Sequence, residues 1–163
     1  MYRDEPAVEA CKQALSERYG PIDGESEVYD FDHSRYYERE MGSDLKKQFV
    51  SFERLQPIEG LVAFKLFCQE LEARWCVERR RTVNLDPAYL ELAKLVVATR
   101  KNFDHRVYLG QQVYADVQLR YRDGAFLPNP WTYADYKSAP VLRFLQRVRE
   151  KYHQQLSRNE WDV

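Results

Sequence analysis

The chain has 163 residues, 44% hydrophobic, 14% aromatic and 31% charged, a balance that excludes a disordered polymer and suits one folded domain around a single core. No apolar run approaches the roughly 18 residues needed to cross a bilayer, and Met1-Tyr2-Arg3-Asp4-Glu5-Pro6 has no apolar signal-peptide core. The net charge of −1 removes any general pull toward nucleic acid or anionic membrane, although residues 1–60 carry 14 Asp+Glu against 8 Lys+Arg and residues 61–163 carry 12 against 17.

Residues 4–19 read as a helix, with Asp4 as N-cap, Pro6 in the first turn and Val8, Cys11, Leu15 and Tyr19 along one face. Gly20-Pro21 ends it. Glu27 to Asp32 alternates as a short strand, and Gln48 to Phe52 forms a second. Pro57 opens a helix whose Leu61, Phe64, Cys68, Leu71 and Trp75 recur at three and four residues, a face that would pack on a sheet. Thr82 to Leu85 reads as a strand, and Asp86-Pro87 as an N-cap followed by Pro at the first helical position. Residues 88–100 fit a helix through Tyr89, Ala93, Val96 and Val97 and a strand through Leu90, Leu92, Val96 and Ala98.

The clearest β pattern follows. Val113, Ala115, Val117, Leu119 and Tyr121 alternate with Tyr114, Asp116, Gln118 and Arg120, which gives one apolar and one polar face. Arg106 to Leu109 pairs with it across Gly110-Gln111-Gln112 as a hairpin, and Asp123-Gly124 is a further turn. Ser138 caps a last helix striped by Val141, Leu145, Val148 and Tyr152, and the tail after Leu156 is polar except for Trp161. With no repeat or linker, the expectation is one α+β domain over 1–163: a mixed, mainly antiparallel sheet with helices packed against it and a C-terminal helix. Cys11, Cys68 and Cys76 fall at apolar helical positions without CxxC spacing, which predicts buried thiols in the reducing cytoplasm.

Val28-Tyr29-Asp30-Phe31-Asp32, Tyr36-Tyr37-Glu38-Arg39-Glu40-Met41-Gly42, Val83-Asn84-Leu85-Asp86-Pro87, His105-Arg106-Val107-Tyr108-Leu109-Gly110 and Trp131-Thr132-Tyr133-Ala134-Asp135-Tyr136 together resemble a bacterial family, domain-of-unknown-function family 4416. The resemblance covers almost the whole chain and names no activity or cofactor. Members are often labelled "GTP-binding protein", yet the GxxxxGK[ST] loop that wraps phosphates in P-loop proteins is absent here. The resemblance also implies a short apolar strand ahead of the first helix, and this chain starts where that strand would be ending. A missing central strand would expose sheet edges and favour a homodimer.

Three groups of side chains could carry chemistry. Asp30, Asp32, His33, Glu38 and Glu40 offer oxygen ligands for Mg²⁺ or an acid–base pair, and equally a solvated acidic loop pairing with nearby arginines. Arg79-Arg80-Arg81, Lys94, Arg100, Lys101 and Arg106 suit phosphate or carboxylate. Asn84, Asp86 and His105 stand at predicted strand ends, where a rigid sheet positions functional groups; His105 is the candidate proton carrier. Trp131, Tyr133 and Tyr136, stiffened by Pro128 and Pro130, read as a fixed flap over the sheet and could stack on a base or sugar. No GxSxG, HExxH or paired CxxC is present.

The leading expectation is a binding or accessory domain for a small anionic ligand, a nucleotide among them, held by Asn84, Asp86, Lys94, Arg100 and Arg106. Two alternatives stand beside it. One is a metal-assisted phosphoester hydrolase using Asp30, Asp32 and Glu38 with His105, and the other is a structural partner in a larger complex.

Overall fold

The computed structural model describes residues 1–32 and 37–159; His33 of the acidic stretch and Trp161 of the tail lie outside the described residues. The chain is α+β, with antiparallel strand pairing and a long C-terminal helix. It divides into two compact units, Met1–Pro87 and Ala88–Val163.

In the first unit, α1 (Glu5–Tyr19) forms as the sequence predicts. Asp4 is extended and its carboxylate accepts from the Ala7 amide at 3.2 Å, which satisfies one of the helix's unpaired N–H groups. The helix buries Ala7, Val8, Cys11, Leu15 and Tyr19. After a single turn at Ile58–Gly60, α3 (Leu61–Arg74) brings Cys68 and Leu71 against that face, and the Tyr19 and Phe64 rings meet with centroids 4.2 Å apart. This unit's core is thus built largely helix on helix, because its strands are short ribbons with little face to offer. They are β1 (Ile22–Glu25) with β4 (Val50–Phe52), β2 (Tyr29–Asp30) with β3 (Lys46–Lys47), and β5 (Cys76–Val77) with β6 (Arg80–Arg81). Between β2 and β3 in sequence lies α2 (Glu38–Met41).

Several expectations change here. The strand expected over Glu27 to Asp32 is confined to β2, and β1 forms without a signal in the side-chain pattern. Thr82 to Leu85 contributes only a bridge at Val83, which pairs with Tyr2, while Tyr2 pairs on its other side with Lys46, antiparallel to both. Cys76 is exposed rather than buried, because α3 stops at Arg74 and the chain turns out into β5.

In the second unit, residues 88–100 resolve as strands, β7 (Ala88–Leu90) and β8 (Lys94–Thr99). No helix follows Asp86-Pro87, so Asp86 is not an N-cap; the extended backbone favoured before Pro leads into β7 instead. β9 (Arg106–Gly110) and β10 (Val113–Arg122) form the predicted hairpin, and β11 (Ala125–Pro128) returns from Asp123-Gly124. The hairpin turn places Gln111 and Gln112 at φ 48 and 57, the left-handed pair whose twist matches that of the flanking strands.

The two-faced reading of β10 holds only as far as Val117. A bulge sets Val117 opposite Val96 and then Leu119 opposite Leu95, so Leu119 and Tyr121 move to the side that Asp116 occupies. That side carries the helix α4 (Ala139–Asn159): the Arg149 guanidinium lies 3.5 Å from the Tyr121 ring centroid, and Gln146 donates to the Tyr121 hydroxyl at 3.2 Å. Ser138 is extended and its carbonyl accepts the first helical bond from Leu142 at 3.0 Å. Among the described residues no helix is long and apolar enough to cross a membrane.

Candidate functional site

β10 has two edges. β8 runs along one; β9 pairs with residues 113–116 and β11 with residues 119–122 on the other. The gap between β9 and β11 falls at Val117 and Gln118, at the bulge against β8. The loop after β11 fills it. Asn129 Nδ2 and Trp131 Nε1 both donate to the Val117 carbonyl, at 2.7 and 2.9 Å, and Thr132 Oγ1 donates to the Gln118 carbonyl. The Tyr133 amide donates to Gln118 Oε1 at 2.9 Å. The expected flap is therefore fastened to the sheet by hydrogen bonds to one bulge, and beside it two β10 residues, Asp116 and Gln118, that the alternation assigned to a solvated face are buried.

At this corner Arg106 stands directly across from Asp116. Its Nε donates to Asp116 Oδ2 at 2.8 Å, one terminal nitrogen to the Lys101 carbonyl at 2.8 Å and the other to the Tyr133 hydroxyl at 2.9 Å. A guanidinium fork suits three divergent acceptors. His105 places Nδ1 2.9 Å from the exposed Asp104 carboxylate and Nε2 3.4 Å from Asp116 Oδ2. The second contact is within ion-pair range but is not aligned as a hydrogen bond. Trp131 stacks on the imidazole, centroids 4.8 Å apart and planes 14° from parallel, and Phe103 meets it edge-on at 5.3 Å.

Among the described residues, four buried side-chain polar atoms lack a hydrogen-bond partner, and three of them are here: His105 Nε2, Asp116 Oδ1 and Gln118 Nε2. Each such atom costs about 1–3 kcal/mol, and native structures rarely leave them without a reason. Sequence reasoning singled out His105 and Arg106 but missed Asp116 and Gln118, since alternation alone cannot reveal which polar residues of a strand are buried.

The first unit gathers a second polar cluster. Arg81 donates to both oxygens of Glu40 at 2.5 and 2.9 Å, to Glu72 Oε2 at 2.8 Å and to Asn84 Oδ1 at 3.0 Å. The Glu40 hydrogen bonds lead in raising the guanidinium's pKa further. Asn84 Nδ2 donates to Asp86 Oδ2 at 2.7 Å, and Lys65 Nζ reaches the Leu85 carbonyl at 2.8 Å and Asp86 Oδ1 at 3.3 Å. Burial opposes charge on Asp86, but Lys65 and then Lys47 outweigh it and hold the carboxyl below its ordinary value. Lys65 and Glu72 were missed although a signal existed: Leu61, Lys65, Cys68 and Glu72 follow one helical stripe, so two charges sit where apolar residues would be expected.

The remaining candidates separate. Lys94 pairs with Glu91 at 2.8 Å at one end of β8, while Arg100 lies just past the other end, bound to the Gln111 carbonyl at 2.6 Å and Gln112 Oε1 at 3.2 Å. At the rise of a β-strand they stand about 20 Å apart, too far to share a small ligand. Among the described residues no three His, Cys, Asp or Glu side chains converge as a metal ion requires. An open depression of ≈ 470 Å³ in the first unit is lined by Arg3, Glu5, Asp44 and Lys46 among others and by none of the predicted site residues.

A family model described as "Domain of unknown function (DUF4416)" matches residues 1–152. No curated protein and no solved structure matches the chain.

Proposed function

Because the chain belongs to the DUF4416 family, whose description supplies no activity, we propose from geometry alone that it is a binding module for a small anionic ligand of nucleotide type, seated at the His105 corner. The observation that carries this reading is the adjacency of exposed aromatic faces and a fixed guanidinium. Phe103, Trp131 and Tyr133 are each 39% exposed or more, and they surround His105 and Arg106. Aromatic faces accept a base by stacking, and a guanidinium favours phosphate or carboxylate. Arg106 is the cation this reading retains from the expected set; Arg100 is tied to the hairpin turn, and Asn84, Asp86 and Lys94 take no part in it. We assign the module to the cytoplasm, where three free cysteines persist as thiols.

The test is a thermal-shift and Trp-fluorescence titration with nucleotides and phosphorylated metabolites, with and without Mg²⁺. Saturable binding weakened at least tenfold in Trp131→Ala is expected. Silence across the whole set removes the reading.

A further inference from the structure

We infer that the His105 corner recognises a ligand edge on which a hydrogen-bond donor sits beside an acceptor, as in a carboxamide or a nucleobase, through Asp116 Oδ1 and Gln118 Nε2. The inference rests on the reading of this corner as the ligand site and adds what part of the ligand is read there.

The residues form a closed ring of contacts: Gln118 Oε1 to the Tyr133 amide, Tyr133 hydroxyl to Arg106, Arg106 to Asp116, Asp116 to His105, His105 to Trp131, and Trp131 to the Val117 carbonyl beside Gln118. On the residues of that ring the polar atoms left without a hydrogen bond are an acceptor, Asp116 Oδ1, a donor, Gln118 Nε2, and His105 Nε2, which can serve as either. Asp116 and Gln118 are 1% and 0% exposed, so water outside the protein does not satisfy them.

The chemistry of the leftovers selects the ligand group. An inorganic anion offers acceptors alone; it would suit Gln118 Nε2 and repel Asp116. A metal cation would suit Asp116 Oδ1 and repel the Gln118 amide. A group with N–H next to a carbonyl or ring nitrogen answers both, since its donor meets the carboxylate and its acceptor meets the carboxamide. Specificity built on buried polar atoms is also the strong kind, because a ligand lacking the edge leaves those atoms unpaired. Access requires the Trp131 and His105 rings to swing aside; Trp131 is held to the sheet by one indole N–H.

The experiment compares four nucleoside monophosphates with ribose 5-phosphate by calorimetry on the full chain. At least one nucleoside monophosphate is expected to bind tenfold or more tightly than ribose 5-phosphate. In Asp116→Asn and in Gln118→Met the ratio of nucleotide to ribose 5-phosphate affinity falls at least fivefold. Thermal melts report whether each variant is folded, and the wild-type comparison stands without them. Equal affinity for ribose 5-phosphate and every nucleotide overturns the inference together with base stacking at this corner. Retention of the advantage in a folded variant overturns the inference alone and leaves the nucleotide-binding reading intact, whereas no binding of any probe overturns both.

Discussion

Arg106 Nε lies 2.8 Å from Asp116 Oδ2, with the carboxylate almost wholly out of water and the arginine side chain 9% exposed. Two buried charges gain little over an apolar pair, but removing one partner strands the other, which costs about 3–5 kcal/mol. Arg106→Met is therefore expected to lower stability by about that amount in chemical denaturation. The double variant with Asp116→Asn should lose less than the single one, because the stranded charge is gone. A double variant no better than Arg106→Met would show that the pair is not the source of the loss.

Gly20 ends α1 at φ 100 and ψ 170, a region essentially reserved for glycine, and a Cβ there would stand 2.9 Å from Arg54 Cβ. Gly20→Ala should cost roughly 1–3 kcal/mol in urea unfolding. Gly60 is the matched control: its backbone is αR and a Cβ added there would meet nothing within 4 Å, so Gly60→Ala should leave stability unchanged or raise it by up to about 1 kcal/mol. Equal losses at both positions would refute the conformational argument.

These contrasts also explain what the sequence makes legible. α1 carries an N-cap, a Pro in its first turn, an apolar stripe and a terminal glycine that agree with one another, and it forms over Glu5–Tyr19 as read. The β9–β10 hairpin is similarly over-specified. Past Val117 the alternation misleads, because one bulged residue exchanges the faces and nothing in the side-chain pattern announces it. Asp86-Pro87 misleads for another reason: an acidic residue before Pro begins helices and strands alike, and here its carboxylate serves Asn84 and Lys65. His105 and Arg106 were legible as candidates, but the burial of their partner Asp116 and of Gln118, which holds the flap, became visible only in the fold.

The three cysteines should differ sharply in reactivity. Burial pushes the Cys11 thiol up to about 11, with Glu72 adding to the effect, and burial raises the Cys68 thiol further still. Cys76 is exposed. A thiol-specific chromogenic reagent is expected to titrate one fast thiol per folded chain and all three in denaturant. Cys76→Ser should abolish the fast phase. A second fast thiol in the folded chain would contradict the burial of the α1–α3 core.

Asp86 ties the first unit's stability to acid. Its carboxyl is held below its ordinary value against the cost of burial by Lys65 and Lys47, so the folded chain gives up this proton more readily than the unfolded one. The resulting stabilisation is complete above the unfolded carboxyl value of about 4 and drains away as pH falls through the lower folded value. Because the side chain keeps 34% exposure, solvent screens part of the effect. Asp86→Asn should therefore weaken the protein at neutral pH and narrow its gap to wild type progressively below about pH 4, read from urea midpoints between about pH 7 and pH 2.5. Lys65→Met should shrink the same acid-dependent component, since Lys65 is the cation bonded to this carboxylate and outweighs Lys47 in its effect. A gap between Asp86→Asn and wild type that stays constant across the whole range would mean that Asp86 contributes through its hydrogen bonds to Asn84 and Lys65 and not through its charge.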